Sequence, residues 1–143
     1  MILVSACLLG ENCKYNGGNN LDPAVVEFVK GKAVLPVCPE MAAGLGCPRI
    51  PVEIVDGVVT DRNGKVVDEP LRRAVAEILR QLEGKDMECA VLKSRSPTCG
   101  VRQVYDGSFS GVLREGMGIL AEALHNAGYR VIDAEDLEKE DGQ

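Results

Sequence analysis

Short apolar segments alternate with segments of helical periodicity along most of the chain. This alternation is typical of a mostly parallel sheet covered by helices, because parallel neighbours must be joined by a crossover that is usually a helix. We therefore predict a single α/β domain of the Rossmann-like kind, with helices flanking a mostly parallel sheet. The sheet strands are predicted at residues 2–6, 33–37 and 89–93, with a last strand beginning at Val131.

Three segments of the chain have the features of helices: residues 24–30, a segment capped by Asp68, and residues 116–126. The first should be capped by Asp22 with Pro23 in its opening turn, since both residue types favour these positions. The second carries apolar residues that fall on one face at helical spacing, namely Leu71, Val75, Ile78, Leu79 and Leu82.

Two further features interrupt the alternation of strands and helices. Residues 38–51 are rich in Gly and Pro and are predicted to form a loop, and a hairpin should follow around Asp56-Gly57. A possible strand at residues 101–105 follows the loop at residues 94–100.

A length of 143 residues suits one domain. We expect residues 1–137 to form it and residues 138–143 to be a flexible acidic tail. The apolar N-terminal run lacks the basic start and the cleavage site of a signal peptide. No run reaches the ~18 apolar residues that a membrane span needs. The expected location is therefore the cytoplasm, without membrane contact.

The charge and the aromatic content bear on possible partners. The net charge is -6, aromatic residues make up 3% of the chain, and there is no Trp. A protein that grips a nucleic-acid backbone needs a basic surface, and one that binds single strands also needs aromatic platforms for the bases. We therefore expect no polymeric nucleic acid as a partner, whereas a free nucleobase remains open. The oligomeric state is not indicated.

The six cysteines are the residues most indicative of function. Lasting disulfides are rare in a reducing compartment, so free thiols, metal ligands or redox chemistry remain. Cys7 and Cys38 directly follow the first two predicted strands, and Cys99 lies in the loop that leaves the third. Because ligands of open parallel sheets bind beyond the carboxyl ends of the strands, these three side chains should meet at one functional edge.

The sequence spacing of the cysteines indicates which kind of metal centre they could hold. Structural zinc sites usually contain paired C-x-x-C motifs, which are missing here, so three scattered thiolates favour an iron–sulfur cluster with one open position. Cys13 could join the site from the same loop as Cys7. Cys89 opens the third strand at the opposite end of the sheet and should be a small buried apolar residue. Cys47 is either a bystander or a residue that supports the site.

Polar residues close to this edge of the sheet are further candidates for catalytic or ligand-binding roles. Glu40 follows Cys38 by two positions and is either a general acid or base or a solvated loop residue. The loop at residues 93–100 carries three hydroxyls that could contact a cluster or a substrate, or merely cap turns. The single histidine, His125, is explained by the C-terminal end of its predicted helix, and a Ser-His-Asp triad is excluded.

Three long blocks of sequence carry a resemblance to a known family. They are residues 4–17, containing VSACLLG and CKYNG, residues 38–53, and residues 93–100, which read KSRSPTCG. These blocks resemble the family of small bacterial and archaeal proteins to which the 2-thiouracil desulfidases belong. The resemblance continues through residues 105–109 and covers nearly the whole chain. Ala43 stands where members often have Gly, and Cys47 is additional; both bear on substrate choice.

The resemblance implies an enzyme with a [4Fe–4S] cluster held by Cys7, Cys38 and Cys99. One iron would stay open and take sulfur from a thiolated small molecule such as 2-thiouracil, while water replaces the sulfur on carbon without net redox change. Glu40 and Ser96 would move protons at the substrate. The remaining family cysteine, Cys13, would be a nearby thiol or an alternate metal ligand.

Two other functions remain open at this stage. One is a non-catalytic iron–sulfur or zinc module that carries sulfide or senses metal or redox state. The other is a thiol–disulfide protein, which the lack of C-x-x-C disfavours. The enzyme predicts a small enclosed pocket beside Glu40 and Ser96, whereas a sensor predicts an exposed apolar docking patch.

Overall fold

A computed structural model describes residues 1–137, so the predicted acidic tail at 138–143 lies outside the described residues. In chain order the helices and strands are β1 (Ile2–Ser5), α1 (Pro23–Phe28), β2 (Val34–Val37), α2 (Pro39–Ala42), β3 (Val52–Val55), β4 (Val58–Asp61), α3 (Asp68–Leu82), β5 (Cys89–Leu92), β6 (Gln103–Tyr105), β7 (Leu113–Glu115), α4 (Ile119–Asn126) and β8 (Val131–Asp133). Short 3-10 turns follow β1 at Ala6–Leu9 and β8 at Ala134–Asp136.

The main sheet has four strands, all parallel, in the order β2-β1-β5-β8. Both central strands, β1 and β5, are buried along their whole length, as expected of parallel strands covered on two faces. Alternate side chains of β1 enter different halves of the core. Leu3 packs with α3 and α4, whereas Ile2 and Val4 pack with α1. The predicted α/β fold with a parallel sheet flanked by helices is therefore confirmed.

The helix starts agree with the sequence patterns in one case and differ in two. Asp22 accepts a hydrogen bond from the amide of Ala24 at 3.0 Å and caps α1, with Pro23 at the first position. Asp68 does not cap α3 as predicted, because its Oδ1 accepts from the amide of Val59 in β4 at 3.0 Å. The last helix, α4, begins at Ile119, later than the predicted residue 116.

The late start of α4 has a packing cause. The backbone at Gly118 is extended and passes directly over the loop after β5. A Cβ atom on Gly118 would lie 2.4 Å from the carbonyl carbon of Thr98, so only glycine fits at this position. The amide of Leu120 then donates to the carbonyl of Thr98 at 2.8 Å. This contact fixes the position of the loop that carries Thr98 and Cys99.

Two small antiparallel pairs lie outside the main sheet. One is the predicted hairpin of β3 and β4 around Asp56-Gly57. The other pairs β6 with β7, a strand that the sequence patterns did not predict. Among residues 1–137, no helix is both long enough and apolar enough to cross a bilayer.

Candidate active site

The carboxyl ends of β1, β2 and β5 open into one cavity of about 480 Å³. Cys7 reaches it from the turn after β1, Cys38 from the position directly after β2, and Cys99 from the loop after β5. Glu40 and Ser96 also line it. The structure thus brings together the five residues that the sequence assigned to metal binding and catalysis.

The other three cysteines take different places. Cys13 is buried and lines the same cavity, and its carbonyl oxygen lies 3.9 Å from Cys38 Sγ. Cys47 points elsewhere and donates its thiol hydrogen to the carbonyl of Asn12 at 3.1 Å. Cys89 pairs with Ile2 at the opposite end of the sheet and is 2% exposed, which fits a small buried apolar residue.

Glu40 is buried, so the alternative that it is a solvated loop residue is wrong. It lies in the first turn of α2, a short helix that starts at Pro39 inside the predicted loop. Its Oε1 accepts a hydrogen bond from the hydroxyl of Thr98 at 2.5 Å. Its Oε2 accepts from the thiol of Cys38 and forms an ion pair with Arg49 Nη2, each at 3.5 Å. The carboxylate is therefore held from three sides.

A chain of hydroxyls connects Ser96 to this carboxylate. Ser96 Oγ accepts from the amides of Thr98 and Cys99 at 3.1 and 3.0 Å, which closes the turn before Cys99. Ser96 Oγ also lies 2.9 Å from Thr98 Oγ1. A hydroxyl has one hydrogen. Since Thr98 gives its hydrogen to Glu40, Ser96 is the donor to Thr98. Ser96 therefore both caps a turn and begins a hydrogen-bonded chain to Glu40.

Arg49 was not identified as a site residue from the sequence, and Thr98 was only one of three loop hydroxyls that could contact a cluster or a substrate. Thr98 is fully buried and lies 58 positions from Glu40, so no local pattern joins them. The side chain of Arg49 is 11% exposed and also donates to the carbonyl of Gly46 at 3.0 Å. Both residues belong to the sequence blocks that carry the family resemblance, which was the only signal for Arg49.

The protonation of the buried thiols shows what the cavity could hold. Burial, and next the negative charge of Glu40, raises the pKa of the Cys38 thiol far above its usual range. The same two causes raise the pKa of Cys99 to about 12. These thiols stay neutral unless a cationic centre compensates the thiolate charge, and a bound metal deprotonates such a thiol. Buried thiols that line one cavity therefore fit a thiolate-ligated metal centre.

Within residues 1–137, no three His, Cys, Asp or Glu side chains are placed to surround one metal ion. In an iron–sulfur cluster the cysteines bind different irons, so their sulfur atoms need not converge on one point.

The cavity lining differs in charge from the whole chain, whose net charge is -6. Two carboxylates line it, Glu40 and Glu53, against five cationic residues: Lys14, Arg49, Arg62, Lys93 and Arg95. Cations around a cleft raise the local concentration of anions. Two of these cations are already paired, Arg49 with Glu40 and Arg95 with Glu135, and the excess positive charge offsets the negative charge of cysteine thiolates in the same cavity.

Comparison with known proteins agrees with this site. Residues 2–136 match the model of the 2-thiouracil desulfurase family. The chain belongs to this family. A relative from Bacillus subtilis (strain 168), the uncharacterized protein YbbK, is 35% identical over 147 residues, which cover 96% of this chain and 97% of that protein.

A solved structure shares the fold. It is described as the [4Fe–4S]-dependent thiouracil desulfidase TudS, and it superposes with a TM-score of 0.88 at 32% identity. The match covers 96% of this chain and 93% of that chain. The family and the enzyme class predicted from the three sequence blocks are thereby confirmed.

Proposed function

We propose that this protein is a [4Fe–4S]-dependent desulfidase that removes sulfur from a thiolated small molecule resembling 2-thiouracil. The observation that carries the proposal is the single cavity lined by three candidate thiolate ligands, a buried carboxylate and a hydroxyl connected to it. The cofactor prediction is confirmed by the related solved enzyme, which is described as [4Fe–4S]-dependent. The substrate and the residue roles below are our inference.

Cys7, Cys38 and Cys99 would hold the cluster, with Cys13 as a nearby thiol. When bound, the cluster supplies an iron site with affinity for the sulfur that leaves the substrate. The net change is then C=S plus H₂O giving C=O plus H₂S, and no electrons are gained or lost. The protein must therefore position the thiocarbonyl group and manage the protons of the attacking water.

Glu40 is the residue best placed for this proton transfer. Its buried carboxylate lies two positions after Cys38 and lines the cavity, so it can accept a proton from water that attacks the thiocarbonyl carbon. Thr98 and Arg49 fix its two oxygens, so the carboxylate needs little rearrangement before it acts. Ser96 would pass or donate a proton at the other end of the hydroxyl chain.

The non-catalytic alternative has less support. A cavity of about 480 Å³ beside Glu40 and Ser96 supports an enzyme, which needs room for a small substrate next to its polar side chains. The absence of a polymeric nucleic-acid partner and the cytoplasmic location stay predictions.

Anaerobic purification is the direct test of the proposed function. We expect about four irons and four sulfides per chain, together with conversion of 2-thiouracil to uracil and release of sulfide. Metal and sulfide assays and chromatography of the pyrimidines measure these outcomes. Stoichiometric zinc without iron after anaerobic reconstitution would refute the cofactor. A fully loaded protein that desulfurates no thiolated nucleobase would favour a carrier or a sensor.

Replacing Thr98 with valine tests the hydroxyl chain. The Thr98→Val variant keeps the shape but removes the donor to Glu40 Oε1, so the carboxylate is no longer held on that side. We expect kcat to fall roughly 10- to 100-fold at unchanged iron content, since small misplacements of a catalytic group have effects of this size. Thr98→Ser retains the hydroxyl and should restore most of the rate. Equal activity of the Val and Ser variants would contradict a role for this hydrogen bond.

A further inference from the structure

The few aromatic residues of the chain are concentrated at the cavity. The sequence has three Tyr, two Phe and no Trp. Tyr129 and Phe28 pack against the two halves of the core, whereas the other three, Tyr15, Tyr105 and Phe109, line the cavity. Flat apolar rings are therefore available where a ligand would bind.

Phe109 lies in the loop between β6 and β7, and this loop is tied to β3 by one buried side chain. Glu53 Oε1 accepts hydrogen bonds from the amide of Gly107 at 2.9 Å and from the amide of Phe109 at 3.2 Å. Glu53 is 8% exposed, and the described residues contain no ion pair to it. Its charge is therefore directed at the backbone of the loop, where charge-assisted hydrogen bonds are strong.

The backbone of the loop shows that its position is specified. A Cβ atom on Gly107 would lie 2.7 Å from the carbonyl oxygen of Ile54, so only glycine allows this close approach to β3. Phe109 has a φ of 55°, an uncommon value for a residue with a side chain. Such conformations persist only where the surroundings enforce them, and they cluster at ligand sites. Here Glu53 and the contact of Gly107 enforce it.

We propose that Phe109 is a specificity-determining residue whose ring stacks on the planar heteroaromatic ring of the substrate, and that Glu53 is the positioning residue that holds it over the cavity. This inference rests on the proposed function, because it assigns the recognition of the ring in the substrate of that same site. Stacking of a base on an aromatic side chain is insensitive to the atom that is exchanged. Phe109 therefore contributes to binding and not to the chemical step.

The first test separates binding from chemistry in the iron-loaded enzyme. We expect Phe109→Leu to raise KM for 2-thiouracil roughly tenfold, as expected for the loss of one stacking contact, with kcat within about twofold. The affinity for uracil, measured by calorimetry, should fall by a similar factor, whereas turnover of acyclic N-methylthiourea should not change. Phe109→Tyr should resemble the wild type. Phe28→Leu, at the other phenylalanine, is the matched control and should leave all these values unchanged.

The second test examines the role of Glu53. Glu53→Val removes the acceptor and should reproduce the effect of Phe109→Leu although the ring is present, whereas Glu53→Gln keeps an acceptor and should restore binding. The double variant Glu53→Val/Phe109→Leu should bind uracil no more weakly than Phe109→Leu alone, because both changes remove one interaction. Additive losses in this double variant would overturn the positioning role of Glu53.

The outcomes distinguish this inference from the proposed function. Wild-type turnover of 2-thiouracil, together with an unchanged KM and uracil affinity in Phe109→Leu, would overturn the stacking role alone. A wild-type protein that binds uracil but turns over no thiolated compound would fail the proposed function, and weaker uracil binding by Phe109→Leu would still support the ring contact. A wild-type protein that neither binds uracil nor desulfurates would overturn both.

Discussion

Replacement of Cys38 with serine is expected to abolish cluster loading, whereas the same change at Cys89 should leave iron and sulfide content intact. Cys38 lines the cavity at the end of β2, and its thiol becomes a thiolate only beside a cationic centre. Cys89 lies at the opposite end of the sheet and lines no part of this cavity. Iron and sulfide assays after anaerobic reconstitution, with the visible absorption of the cluster, measure the difference.

The same experiment extends to the remaining cysteines. Serine at Cys7 or Cys99 should also prevent loading, and serine at Cys47 should not, because Cys47 does not line the cavity and its thiol donates a hydrogen bond to the carbonyl of Asn12. The Cys89→Ser variant should lose at most about 1 kcal/mol of stability in urea unfolding. Loading retained in Cys38→Ser and lost in Cys89→Ser would show that the ligand assignment is wrong. Cys13→Ser decides whether that thiol is a ligand or only a neighbour.

The convergence of the three cysteines followed from local sequence patterns. Short apolar runs locate the strands, and the rule that ligands bind beyond the carboxyl ends of parallel strands brings Cys7, Cys38 and Cys99 to one edge. Cys89 was placed at the other end by the same reasoning, and the register of β5 opposite Ile2 agrees. Such patterns locate a residue best when it adjoins a strand, as Cys38 does, whereas the position of Cys99 also depends on how the loop after β5 packs against the start of α4.

The surroundings of Glu40 could not be predicted in this way. The helix α2 is only four residues long, too short for any periodicity, and Thr98 reaches Glu40 across 58 positions of sequence. The strand β7 could not be predicted, because Leu113-Arg114-Glu115 has a single apolar residue and therefore no alternation of apolar and polar residues. Contacts between distant loops depend on tertiary packing, such as the approach of Gly118 to Thr98, which no local pattern encodes.

The Glu40→Gln variant tests most directly whether the protein is a catalyst or only carries a cluster. Glutamine keeps the shape and can still accept the hydrogen bond from Thr98, but it cannot take a proton from water. Water at neutral pH is a weak nucleophile, and a well-placed general base contributes roughly 10²–10⁴-fold to the rate. We therefore expect desulfuration of 2-thiouracil to fall by such a factor.

The iron and sulfide content should be unchanged in this variant, so a difference in turnover from the wild type reports on Glu40 itself. The charge of Glu40 is the second cause, after burial, that raises the pKa of Cys38 and Cys99. Its removal lowers both thiol pKa values and so makes the ligands easier to deprotonate. The variant loses the buried ion pair with Arg49, so its folding must be checked by thermal unfolding.

The matched control is Asp61→Asn, which removes the charge of a buried carboxylate that does not line the cavity. Its kcat should stay near that of the wild type, because Asp61 accepts hydrogen bonds from the backbone amides of Asn63 and Lys65 in the turn after β4 and an asparagine can still accept them. Turnover is compared at equal iron loading, since loss of the cluster would lower turnover just as loss of the general base does. A fully loaded Glu40→Gln enzyme with nearly wild-type turnover would remove Glu40 from the mechanism. A steep loss confined to Glu40→Gln would instead assign the proton transfer to the carboxylate that Thr98 and Arg49 hold in place.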